Sequence, residues 1–460
     1  MASKKAKLIL QKLDINDNVD SRQGVIAKVF IKLKENKKNS MYMLAMLLSV
    51  FLLTMSFYSN IFEVADDTWF REWQNDSEAL VIGRLIRSRQ AGLCSDYGLL
   101  QRDPEWNTVN RFLTDEHIES FSLYQQQIGL QGMLFGVLDR IMPMNGIEML
   151  NFLYLLNSIL LAILITLVAI WAWVKFGILS SIFIILGCIF SPWLVVSGRN
   201  LYWVTWTILL PFVAILYTHW IEQHSSKTEM KSWIFLIVAF FTIFIRVANG
   251  FEFTSAILIS SVLPVIFYAI KENWNFRHYL RRSLYINIGG LGAFCIALII
   301  NIMQRSLVLG GLSYGLSSLQ TNIYVRTGFG ILETEVVNQR IAESLEASLL
   351  RVIHAYLRRG QPLILDYRMA DLLLLFIIFI LVILLTSVQQ KRRSLGALAI
   401  VICASLSAPL SWIVLAKGHS DIHRHINYIL WYFPGVILLF ALCGATVASV
   451  IKYSWNYVFK

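Results

Sequence analysis

An all-α polytopic membrane protein is the fold class that this sequence predicts, on three observations: 57% of its 460 residues are hydrophobic, its mean hydropathy is +0.60, and long apolar runs recur from residue 41 to residue 451. Windows long enough to cross a hydrocarbon core place spans near 41–60, 149–174, 177–197, 201–220, 233–249, 251–270, 284–304, 371–388, 395–416 and 427–451. That is about ten transmembrane helices. The 233–249 segment is short, and 128–142 reads as an amphipathic or re-entrant helix, so the count can shift by one or two.

Basic residues set the expected orientation. The arm at residues 1–40 holds Lys4, Lys5, Lys7, Lys12, Arg22, Lys28, Lys32, Lys34, Lys37 and Lys38, so the N-terminus is expected in the cytoplasm. Every second loop onward is basic: Lys227 and Lys231, then Lys271, Arg277, Arg281 and Arg282, then Lys391, Arg392 and Arg393, and finally Lys452 and Lys460. The 61–148 loop has no Lys and seven Arg against fourteen Asp plus Glu, which puts it on the far side. The net charge of +11 is thus a topology signal and not a nucleic-acid footprint.

The basic arm carries no cleavage-site pattern and lies far ahead of the first apolar run, so the first span reads as an uncleaved anchor. Stretches such as Val25 to Phe30 inside the arm read either as segments lying on the anionic inner leaflet or as part of a disordered tail. Four cysteines fall within spans and Cys94 is alone in the outer loop, which implies no disulfide framework. The expected organisation is a basic arm at 1–40, an N-terminal membrane module at 41–304 bearing the 61–148 loop, an outer loop at 305–370, and C-terminal helices at 371–460.

Polar residues sort by side on this topology. Asp66 and Asp67 open the first outer loop, and two adjacent carboxylates repel, a setting that suits a general base. A solvated acidic loop start is the plainer reading. Asn75 or Asp76 followed by Glu78 looks like a capped helix start, and Ala79, Leu80, Ile82, Leu85 and Ile86 supply an apolar stripe, predicting a helix along the membrane surface. A second surface element is expected over 116–142. Both either pack beneath the loop or shape a substrate cleft.

These residues carry a resemblance. The basic arm, the Asp66-Asp67 pair directly after the first span, the long first outer loop and the many later spans together resemble GT-C-type membrane glycosyltransferases, and within that family uncharacterised bacterial members with an Asn-Asp-Ser-Glu-Ala-Leu-Val segment, here Asn75 to Val81, and a late His-Ser-x-Ile-His element, here His419 to His423. The resemblance implies a polyprenyl-phosphate-sugar donor at the outer leaflet of the bacterial inner (plasma) membrane, and an extracytoplasmic acceptor that is a glycan, a lipid or a protein. It implies that Asp66 or Asp67 deprotonates the acceptor hydroxyl. Arg, Lys or a divalent cation, Mg or Mn, would stabilise the departing lipid phosphate. A single attack at the anomeric carbon inverts its configuration.

For binding, the candidates are Arg71, Glu78, Arg199, Arg246, Glu252, His419, His423, Arg424 and His425. Arg246 interrupts an apolar run near the outer end of a span, so it contacts a phosphate, pairs with Glu252 or snorkels to the interface. Arg199 is the weaker phosphate candidate, because short hairpins often carry a charge for solvation alone. The imidazoles and carboxylate between Lys417 and Asn427 form a ligand set that suits a transition ion, but their spacing matches no standard closed site, and headgroup or substrate contact is the competing reading. In the 305–370 loop, Gly310-Gly311-Leu312-Ser313-Tyr314-Gly315 precedes an expected helix at 333–358, giving either a mobile acceptor lid or a plain connection.

The sequence therefore predicts an enzyme of the membrane's outer face. The rivals are a lipid-linked glycan flippase or transporter, and a polysaccharide polymerase or ligase that leans on Arg and His. One-sided polarity, with few charges near the bilayer midplane, favours the enzyme.

Overall fold

The computed structural model describes residues 20–72, 75–224, 230–327, 339–358, 367–386 and 389–458. The chain divides into two compact units, residues 1–49 and 50–460. The first contains the start of the long helix Asp20–Ser59. Of the basic arm, residues 1–19 lie outside the described residues, as do the side chains of 20–39.

Helices dominate the second unit, as the apolar runs predict. Among the described residues seven helices are long and apolar enough to cross a membrane: Ser40–Ser59, Gly146–Phe176, Ser232–Asn249, Thr254–Glu272, Phe276–Leu309, Arg393–Leu415 and Ile429–Trp455. An eighth is added if Ile178–Ile189 and Pro192–Gly198, bent by 70° at the break between them, form one broken span. The difference from ten has a compositional cause. Trp206–His224 forms a helix but carries Pro211, His219 and Glu222, and Met369–Ile383 is apolar but short.

The first loop folds into a compact layer of its own. Strand Leu100–Arg102 pairs antiparallel with Ser122–Tyr124, a two-stranded addition that the all-helical expectation lacked. Against this ribbon lies the helix Asn75–Ala91, and Thr108–Leu113 and Leu130–Ile141 pack on that helix. The Asn75–Ala91 helix forms where its stripe predicts, and it is buried on more than the striped face. Its second face is covered as well, with Val81, Arg84 and Ser88 buried beside Leu80, Leu85 and Ile86. Gly83 makes this possible, because a Cβ there would stand 2.1 Å from the Gln101 carbonyl oxygen.

Two arginines lock the layer. Arg84 is fully buried and donates to the carbonyls of Ser95 (2.6 Å), Gly92 (3.3 Å) and Leu93, which ties the turn after the helix to its middle. Arg89 makes a two-pronged contact with Asp139, at 2.8 and 2.7 Å, joining this helix to Leu130–Ile141. Gln131 then docks the layer on the bundle, donating to the backbone carbonyls of Tyr202 (3.1 Å) and Asn249 (3.0 Å).

The 305–370 region also differs from expectation. Its glycine-rich start leads into a helix, Leu312–Thr327. The expected 333–358 helix is two, Gln339–Glu346 and Leu349–Arg358, with residues 333–338 outside the described set. The three polar segments meet at one end of the bundle: Arg326 reaches Gln126 of the first loop at 2.5 Å, and the Tyr356 hydroxyl donates to the Ser420 carbonyl at 2.9 Å.

Candidate active site

The acid pair is built by the turn before it. Asn60, at the end of the first span, takes a positive φ of 50°, accepts from the backbone N–H groups of Val64 (3.0 Å) and Ala65 (3.3 Å), and donates to the Ala65 carbonyl (2.7 Å). The chain then enters the helix Asp67–Glu72 with Asp66 as its cap: one Asp66 carboxylate oxygen accepts from the Thr68 N–H (2.8 Å) and hydroxyl (2.7 Å). Both acids are exposed. They differ in employment, since Asp66 is held by Thr68 while Asp67 sits in the first helical turn.

Arg199 and Glu78 stand beside this helix. The Arg199 guanidinium donates to the Tyr58 carbonyl at 3.0 Å and lies over the rings of Phe70 (4.1 Å) and Tyr154 (5.1 Å). Glu78, read from sequence as a substrate contact and half of a cap, is turned into the protein. It is buried, and its carboxylate accepts from the Tyr154 hydroxyl (2.8 Å) and the Leu201 N–H (2.9 Å), anchoring the loop that presents Arg199. Burial pushes the Glu78 carboxyl up to about 7 against the opposing pull of Leu201, Tyr154 and Arg199. The Arg71 side chain lies outside the described residues.

A second station forms where Arg246 and Glu252 were expected to act. Arg246 is 1% exposed, so it does not snorkel. It donates to the Trp203 carbonyl (3.0 Å) and to the backbone carbonyl of Glu252 (3.2 Å), splinting two turns. The carboxylate of Glu252 pairs instead with Arg326 at 2.7 Å. Burial raises the Glu252 carboxyl, but the charges of Arg326 and Arg246 outweigh it and hold the group below its usual range. Above this pair the hydroxyls of Tyr124 and Tyr202 meet at 2.9 Å, and Gln126 accepts from both Tyr124 (3.0 Å) and Arg326 (2.5 Å).

Arg326 opens onto a cleft of about 360 Å³ between the spans. Its walls are mostly apolar, with Leu258, Phe294, Leu298, Ile323 and Trp412 among them, and Arg305, Arg326 and Gln126 also line it. Arg305 is positioned by Asn301 (2.8 Å) and by the Ser318 hydroxyl (3.0 Å). Sequence reasoning missed both arginines. A signal was present: Leu312, Leu316, Leu319, Ile323 and Arg326 recur at helical spacing, which places Arg326 at the end of an apolar face.

The late histidines form a third group. His419 and His423 rings stand 4.5 Å apart, His419 lies 5.6 Å from the Trp412 ring, and Arg424 is engaged in an ion pair with Asp421. The His425 side chain lies outside the described residues. Among the described residues no three His, Cys, Asp or Glu side chains converge to hold a metal ion.

The structure thus joins Arg199 and Glu78 to the Asp67 helix, and Arg246 and Glu252 to Arg326. Between the two stations run Glu78, Leu201, Tyr202 and Tyr124. Aromatic contacts carry the acid-pair side toward the late segment, from Trp69 to Trp193 (5.3 Å), to Tyr428 (4.6 Å) and to Tyr356 (5.2 Å). Compared with known proteins, the chain matches no family model, no curated protein and no solved structure.

Proposed function

We propose that this chain is a membrane glycosyltransferase that moves a sugar from a polyprenyl-phosphate donor to an extracytoplasmic acceptor at the bacterial inner membrane, with the N-terminus cytoplasmic. The observation that carries this reading is the mainly apolar cleft whose lining includes Arg305 and Arg326. A lipid chain gains about 0.8 kcal/mol for each CH2 group removed from water, and a guanidinium presents paired donors that match phosphate oxygens. A long apolar ligand with one phosphate suits such a cleft.

In this reading the sugar lies over the strip between the stations, with its phosphate toward Arg305 and Arg326. The acceptor hydroxyl approaches from the Asp67 turn and gives its proton to a carboxylate there. Asp67 is the preferred base, because Asp66 already accepts two hydrogen bonds from Thr68. Arg199 supplies a second positive charge beside that turn, and Arg246 and Glu78 hold the loops that carry the strip. The test is release of lipid phosphate by purified protein in nanodiscs from a panel of radiolabelled polyprenyl-phosphate sugars. Turnover of one donor that is lost in Asp67→Asn and weakened in Arg326→Gln supports the reading; no release from any donor removes it.

A further inference from the structure

The opposite end of the bundle holds a cavity of about 440 Å³ that plays no part in the proposed transfer. It forms where the helices Trp206–His224 and Thr254–Glu272 end and Phe276–Leu309 begins. The proposed strip lies where the same helices have their other ends, so the two sites are separate.

The cavity is built around a half-buried carboxylate. Glu222 accepts from Arg282 at 2.6 Å and from the Met230 N–H at 2.6 Å, and its other oxygen stands 3.4 Å from His219 Nδ1. A carboxylate facing Nδ1 holds the ring proton there, which leaves Nε2 as an acceptor. His219 is 1% exposed, lines the cavity, and its Nε2 has no hydrogen-bond partner among the described residues. The group that meets Nε2 must therefore be a donor.

That requirement separates ligand classes. A phosphate oxygen at neutral pH is chiefly an acceptor and meets the wrong side of His219. A hydroxyl donates to Nε2 and can accept in turn from the carboxamides of Gln223 and Asn275, which also line the cavity. Trp274 adds an aromatic face at the rim, within 4.3 Å of the His278 ring and tied to Glu272 through its indole N–H at 3.0 Å. Planar polar side chains with an aromatic face suit a ring that carries several hydroxyls.

We infer that this cavity binds a sugar ring, either free or as the headgroup of a lipid. Its nearness to the bundle end admits both sources, and the hydroxyl chemistry is common to them. The site is independent of the transfer reading, so its failure leaves that reading intact.

The test uses the full chain in nanodiscs, free of sugar-based detergent. Thermophoresis measures binding of octyl glucoside, octyl galactoside and octyl mannoside, of the matching methyl glycosides, and of octyl hexaethylene glycol ether as an apolar control. Saturable binding of at least one octyl glycoside is expected, at least tenfold tighter than the ether. It should weaken tenfold or more in His219→Phe and in Trp274→Leu, and be partly kept in His219→Gln, which retains an acceptor. Equal binding of the matching methyl glycoside assigns a free sugar, and binding of the octyl form alone assigns a lipid headgroup. Trp274→Leu changes a rim residue and keeps the test valid if His219→Phe does not fold. Binding of no glycoside, equal binding of the ether, or parental affinity in Trp274→Leu overturns the assignment.

Discussion

Arg326 and Glu252 form an ion pair at 2.7 Å in which the carboxylate is almost wholly buried, joining the helix after the Phe276–Leu309 span to the turn before Thr254. Removing one member leaves the other charged and desolvated. Arg326→Met should cost about 3 kcal/mol, the low end for breaking a buried pair, because Arg246 still faces Glu252. Adding Glu252→Gln to Arg326→Met should recover most of that loss. Denaturant unfolding of the two single variants and the double checks it; additive losses would show that the pair is not coupled.

The same pair sets a pH response. Glu252 is held below its ordinary range, so it contributes stability above that range that is lost as the pH falls through the lowered value.

Glu78 has the opposite sign. Its carboxyl is raised from 4.5 to about 7, so its contribution is fully present below pH 4.5 and is lost as the pH rises through 7. Glu78→Gln should therefore be more stable than the parent at pH 8, by up to roughly 3 kcal/mol, with the advantage vanishing near pH 4.5. Melting curves across that interval give the answer, and a pH-independent difference would contradict the burial argument.

For the acids, Asp67→Asn should lower transfer by about a hundredfold to ten-thousandfold with little change in melting temperature, as loss of a positioned base does. Asp66→Asn keeps an oxygen for Thr68 and should cost less. Parental turnover in both variants, on a donor that the parent uses, would falsify the base assignment.

Orientation is tested by cysteine labelling. In a background without native cysteines, Glu119→Cys and His354→Cys, both exposed on the segments that meet at the candidate site, should react with an impermeant maleimide in intact cells. Arg277→Cys, exposed at the other end, should not. The reverse pattern would move the acid pair into the cytoplasm.

Apolar length made most of the helices legible in sequence, because a run such as Gly146–Phe176 has one use in a chain this hydrophobic. Asp66, Glu78, Arg199, Arg246 and Glu252 were visible as polar residues next to apolar runs. Their division of labour was not visible. Glu78 reads as a capping residue until Leu201 and Tyr154, far along the chain, are seen to take its oxygens. Arg326 was hidden because the glycines before it suggested a loop, while the helical spacing of Leu312 to Ile323 was the better guide.

The break between Ile178–Ile189 and Pro192–Gly198 bears on how the chain is made. An apolar medium offers nothing to backbone groups freed by a kink, so protein must supply the partners. Here Ser56 donates to the Ile189 carbonyl at 3.0 Å, and the Ser191 hydroxyl, which accepts from the Leu194 N–H at 3.5 Å, is held by donating to the Tyr432 hydroxyl at 2.7 Å. The first partner leaves the ribosome before the break and the second long after it. A nascent chain stalled after Leu415 should therefore be cut near residues 189–192 in pulse proteolysis, while one released after Trp455 resists, which makes closure of this joint a late event in biogenesis.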